Sequence, residues 1–130
     1  VLKQALQEAW RQLQEARCQV LLSEFKDKDG TRLAENLSNG AGDLRSHLAR
    51  LVFVDGRETR ACGTGALAAT EPASRVVHIC NSRFVWTWQE NPRHAIAALI
   101  HEALHTLGLG ENPPSSAQIT AIVLKRCGTP

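Results

Sequence analysis

Apolar residues recur every three or four positions at the start of the chain, at Leu2, Leu6, Ala9, Leu13, Ala16 and Val20. Gln, Glu, Arg and Lys fill the positions between them, so the pattern predicts an amphipathic helix from Leu2 to about Leu22. Lys26-Asp27-Lys28-Asp29-Gly30 interrupts it. This run is superficially similar to a calcium loop but lacks the acidic spacing and terminal Glu, and it reads as a solvated turn. Thr31 to Leu37 and Asp43 to Arg50 follow as short helices around Asn39-Gly40-Ala41-Gly42. Leu51-Val52-Phe53-Val54 is a strand that runs into a turn at Asp55-Gly56. Residues 56 to 74, rich in Gly, Ala and Thr, predict loop or edge structure.

From Arg75 to Trp88 the pattern changes to alternation. Val77 and Ile79 share one face, and Phe84, Trp86 and Trp88 then fall on one face, which predicts two strands with a turn at Asn81-Ser82. Asn91-Pro92 opens a helix with Asn as N-cap and Pro at the first helical position. That helix runs to about Leu107 and stops at Gly108. Pro113-Pro114 makes a stiff corner. Ser115 and Gln118 form a capping box for a last helix carrying Ile119, Ile122, Val123 and Cys127. Helices, a small sheet, then two helices give an α+β fold, as a single domain over residues 1–130.

The 130 residues are 43% apolar and 22% charged, which excludes a disordered chain and suffices for a core. The net charge of +2 is scattered, so nucleic acid and anionic membranes are not expected partners. The densest apolar stretch, Ala95 to Leu109, is too short for a membrane span and is interrupted by His101, Glu102 and His105. With Val rather than Met at position 1, the chain is expected to be processed or trimmed, any signal peptide already removed. Cys18, Cys62, Cys80 and Cys127 are even in number and contain no C-x-x-C pair. They predict two disulfides and a secreted or periplasmic location. Three pairings are formally open. Cys62 and Cys80 flank the loop-rich stretch before the central strand and are expected to pair, leaving Cys18 with Cys127.

His101-Glu102-Ala103-Leu104-His105 carries the candidate chemistry. Residues four apart stack on one helix face, so both imidazoles can converge on one ion. Glu102 lies about 100° round from His101, where it can reach a metal-bound water as a general base without being a ligand. His94, Ala95, Ala98, Glu102, His105 and Thr106 share an arc of roughly 0–140° with His101, while Ile96, Leu99, Ile100, Leu104 and Leu107 fill the opposite side. A catalytic zinc ordinarily takes three protein ligands and a water. Gly108 permits the left-handed turn that swings the chain back, and Glu111, the one acidic residue after His105, is the expected third ligand. His94 lies about 10 Å along the axis from His101, too far to share its ion. His47 and His78 read as structural or surface residues. Trp86 and Trp88 could form a platform for a substrate side chain, or pack in the core.

The run His101-Glu102-Ala103-Leu104-His105-Thr106-Leu107-Gly108-Leu109-Gly110-Glu111 resembles the H-E-x-x-H-x-x-G-x-x-H/D motif of the metzincin clan of zinc peptidases. The resemblance covers eleven of 130 residues. It implies His101 and His105 as zinc ligands, Glu102 as general base, Gly108 as the turn glycine and Glu111 in place of the third His or Asp. With no Met and no Tyr, the chain can have neither the clan's methionine turn nor a tyrosine ligand. The resemblance also implies a compact zincin-like fold, with N-terminal helices, a small mixed sheet, a central active-site helix and a short C-terminal helix. Within it, the strand from Arg83 to Trp88 would align the substrate.

The expected activity is that of a monomeric, secreted zinc-dependent endopeptidase, a hydrolase with one catalytic zinc ion and a peptide or protein substrate. Two alternatives stand beside it: a catalytically inactive metal-binding domain that recognises peptides, and a mononuclear iron oxygenase using two His and a carboxylate.

Overall fold

The computed structural model describes residues 1–128 as a small α+β domain. The first apolar stripe forms α1 (Leu2–Leu13), which buries Ala5, Ala9 and Leu13 completely. The expected single helix to Leu22 is instead broken. Glu15 turns extended at ψ 141°, and the chain resumes as α2 (Ala16–Gln19) and α3 (Leu21–Glu24). No Gly or Pro marks the break; buried Cys18 lies just after it and is bonded to Cys127, the residue that follows the last helix. Then come α4 (Leu33–Asn39) and α5 (Leu44–Ala49), the latter capped by the Asp43 carboxylate, which accepts from Ser46 N at 2.8 Å.

The sheet has three strands: β1 (Val52–Asp55), β2 (Ala68–Ala69) and β3 (Val76–Ile79), in the order β1-β3-β2. It is mixed, with β1 parallel and β2 antiparallel to β3. Central β3 buries Val77 and Ile79. The stretch expected to be loop or edge holds both the edge strand β2 and a helical turn, α6 (Arg60–Gly63). Cys62–Cys80 staples that turn to the end of β3, and Cys18–Cys127 ties the N-terminal helices to the last one. These are the two pairs expected from the sequence.

The expected second strand is a helix, α7 (Asn81–Glu90). Its aromatics at 84, 86 and 88 satisfy period two, yet Phe84 and Trp88 are also four apart and share a helical face. Phe84 is 1% exposed and Trp88 packs on the core, whereas Trp86 turns outward at 63% exposure. No substrate-aligning strand therefore exists at residues 83–88, and the strand beside the candidate site is β2.

Helix α8 (Pro92–Thr106) lies at the centre, against α1, α7, β2 and the last helix, α9 (Ser116–Arg126). Asn91 caps α8, and the Ser115/Gln118 capping box starts α9. Among the described residues no helix is long and apolar enough to cross a membrane.

Candidate metal centre

Helix α8 buries both flanks of its central turns, so His101, Glu102 and His105 are all nearly sequestered from solvent. Burying such groups is costly unless they are paired or hold a metal. Their potential ligand atoms lie within 4.8 Å of one another, and the group could hold a metal ion.

The chain reversal after α8 completes the arrangement. Gly108 adopts φ 114°, a conformation glycine enters without strain. Its N–H donates to His105 O at 2.9 Å and Leu109 N–H donates to Leu104 O at 3.2 Å, closing a Schellman turn. A Cβ at 108 would meet Asn36 Nδ2 at 3.0 Å. That amide donates to Leu107 O and to Asp27 Oδ2, both at 3.0 Å, and so anchors the helix end. The reversal brings Glu111 back, with Oε1 3.2 Å from His105 Nε2 and 3.4 Å from His101 Nε2. The two imidazole Nε2 atoms are 3.0 Å apart.

The tautomers decide what these short distances mean. His105 Nδ1–H donates to Leu109 O at 2.6 Å, leaving Nε2 as a bare lone pair. That lone pair faces a carboxylate oxygen and a second ring nitrogen. His101 Nδ1 lies 2.9 Å from Thr120 Oγ1 on α9, a hydroxyl that can donate or accept; when it accepts, His101 Nε2 also presents a lone pair to the same point. Electron-pair donors crowded so closely repel unless a cation or proton sits among them. Tetrahedral ligands 2.0–2.1 Å from one ion are roughly 3.3–3.4 Å apart, close to the three separations seen here. The donor set could hold a metal ion.

Glu102 differs from these three. Its Oε1 lies 4.0 Å from His101 Nε2, while buried Oε2 has no hydrogen-bond partner. Burial, and secondarily the charge of Glu111, push its carboxyl up to about 8 in the absence of a cation. His101 is held below the ordinary imidazole range, by burial first and then by His105, although Glu111 opposes the shift. A neutral ring is the form a metal requires.

Glu102, His105 and Glu111 line a cleft of about 460 Å³ that runs under edge strand β2 past Ala68, Ala69 and Glu71. A smaller recess of about 180 Å³ continues on the far side of Glu102, past His101, Thr120 and His94. His94 is an exposed first-turn residue on its wall. Neither Trp86 nor Trp88 borders these cavities, so they form no platform for a substrate there, and Trp88 packs on the core instead.

The remaining histidines are apart from the centre. His47 Nε2 lies 2.9 Å from Thr106 Oγ1, and since that hydroxyl donates to Ala103 O, the imidazole is the donor. His78 is half-buried on β3. The Asp27 turn carries no cation site: its carboxylate accepts from the N–H groups of Asp29 and Thr31 and from Asn36. Thr120, Asn36 and the Leu109 carbonyl were not identifiable from the sequence, because only the fold brings them to the helix. Comparison with protein-family models, curated proteins and solved structures returns no match for this chain.

Proposed function

We propose that the protein is a zinc-dependent endopeptidase acting outside the cytoplasm, with His101, His105 and Glu111 as ligands and Glu102 as general base. One observation carries the reading: three electron-pair donors converge at tetrahedral spacing beside a buried carboxylate whose Oε2 has no partner. The similarity of residues 101–111 to the metzincin motif supports it. The Glu102 carboxylate also favours hydrolysis over the iron oxygenase alternative, which has no use for a base at that position.

A bound zinc would supply Lewis acidity and lower the pKa of its water to about 7. The chain supplies the rest. The Leu109 carbonyl and Thr120 hydroxyl fix the two imidazole rings, so their Nε2 lone pairs need no rearrangement. Positive charge at the centre favours the ionised form of Glu102, whose carboxylate can then accept a proton and return it to the leaving amine. Ala68 and Ala69 on edge strand β2 line the cleft with small residues, and an extended peptide can pair with that edge. The two disulfides are compatible with an oxidising compartment.

The test is Glu102→Gln, which keeps the shape but cannot accept a proton at neutral pH. Digestion of denatured casein or a mixed peptide library by the zinc-loaded protein should fall by about 10²–10⁴-fold, with zinc still bound. Equal cleavage by both proteins would refute the mechanism. A zinc-loaded wild type that cuts nothing in a broad screen would favour the inactive peptide-recognition alternative.

A further inference from the structure

Residues 50 and 75 are far apart in sequence, but the sheet brings them together. Val52 pairs with Val76, and Val52 N–H donates to Arg75 O at 2.8 Å. Arg50, which follows α5, and Arg75, which precedes β3, both line a cavity of about 530 Å³ at the C-terminal end of α8. Both side chains are exposed, and among the described residues neither has a carboxylate within ion-pairing distance. Asp27 borders the same cavity, but its oxygens already accept from two backbone N–H groups and from Asn36. Lys28 and Asp29 line it as well, so three cationic side chains stand against two carboxylates, and among the described residues neither carboxylate is paired with Arg50 or Arg75.

That space adjoins the metal centre. Pro72 borders both this cavity and the cleft beneath β2, and Gly110 on its wall immediately precedes Glu111. A Cβ at Gly110 would meet nothing within 4 Å, so the passage beside the ligand is open. His47, one helical turn before Arg50, donates to Thr106 and holds the end of α5 against the residue after His105. The backbone that carries Arg50 is therefore tied to α8, and Ala73 N–H, donating to His105 O at 2.8 Å, ties the segment before Arg75.

We propose that this cavity is a carboxylate-binding subsite for the peptide, taking either an acidic side chain or a free C-terminus. Guanidinium suits this role because its planar fork matches the two oxygens of a carboxylate. The proposal rests on the peptidase reading and specifies its substrate class.

Fluorescein-labelled alanine hexapeptides carrying one Glu at successive positions, their Gln counterparts, and Gln peptides with a free or amidated C-terminus provide the probes. Binding is read by fluorescence anisotropy, and cleavage is followed by mass spectrometry in the same samples. At least one carboxylate peptide should bind about tenfold more tightly than its neutral counterpart. The Glu and free-terminus arms show which source of carboxylate is used. Arg50→Gln/Arg75→Gln should abolish that preference while leaving neutral peptides unaffected, and Arg50→Lys/Arg75→Lys should retain part of it. Equal binding of charged and neutral peptides, a preference that survives the Gln pair, or no peptide binding at all would overturn the proposal. Arginine-dependent binding without cleavage would instead sink the peptidase reading and leave the subsite standing. Cleavage without carboxylate preference would do the reverse.

Discussion

Thr120→Val probes how the fold prepares His101. The substitution is nearly isosteric and removes only the hydroxyl, whose oxygen lies 2.9 Å from His101 Nδ1. Thr120 is half-buried on α9, and no other side chain at the centre depends on it. Losing the partner frees the ring to rotate and leaves Nδ1 unsatisfied in a site where His101 is only 5% exposed. Loss of such outer contacts typically weakens metal binding by 10–100-fold, or about 1.4–2.8 kcal/mol. Zinc affinity would be measured by competition with a chromophoric chelator, alongside thermal melts of the metal-free proteins. Thr120→Val should show that loss with little change in melting, and Thr120→Ser should recover most of the affinity. If Val binds zinc as tightly as Thr, packing alone holds the ring, and the argument from its Nδ1 partner is wrong.

Glu111→Ala should lose most bound zinc with the helices intact, while Asp at 111 retains some; elemental analysis with circular dichroism checks both. In metal-free protein, Glu102 stays protonated up to about 8, whereas the unfolded carboxyl ionises near 4.5. The folded state therefore binds the extra proton, and stability declines as pH rises through that window. Glu102→Gln should remove that decline and be more stable at pH 8 by on the order of a few kcal/mol in urea titrations with chelator; parallel pH profiles would refute this. Replacing Cys18 and Cys127 by Ser opens a closure spanning 109 residues and should cost about 4.7 kcal/mol on the chain-entropy model, measured by chemical denaturation.

The parts of the fold that were legible are those with local causes. Asn91, Pro92 and Gly108 bracket α8, Ser115 and Gln118 start α9, and each acts within a turn of its own position. Glu111 could be singled out because Gly108 reverses the chain within a few residues. The pattern over α7 predicts a strand because its aromatic spacing satisfies a strand and a helix equally, and packing of Phe84 and Trp88 on one face decides for the helix. The break at Glu15 has no breaker residue and follows from tertiary packing around Cys18. The groups that orient the centre, Thr120 and the Leu109 carbonyl, act through side-chain geometry that no spacing rule encodes. The closeness of Arg50 and Arg75 depends on a parallel register that sets Val52 against Val76, 24 positions apart.

The most direct test of the central claim is X-ray absorption at the zinc edge on protein loaded with one equivalent of zinc and dialysed. The account predicts one retained zinc per chain, with two imidazole nitrogens at about 2.0–2.1 Å and a carboxylate oxygen at about 2.0–2.2 Å. The imidazole signal should disappear with the metal in His101→Ala/His105→Ala. Zinc lost on dialysis, or retained in a shell of oxygen atoms without imidazole, would contradict it.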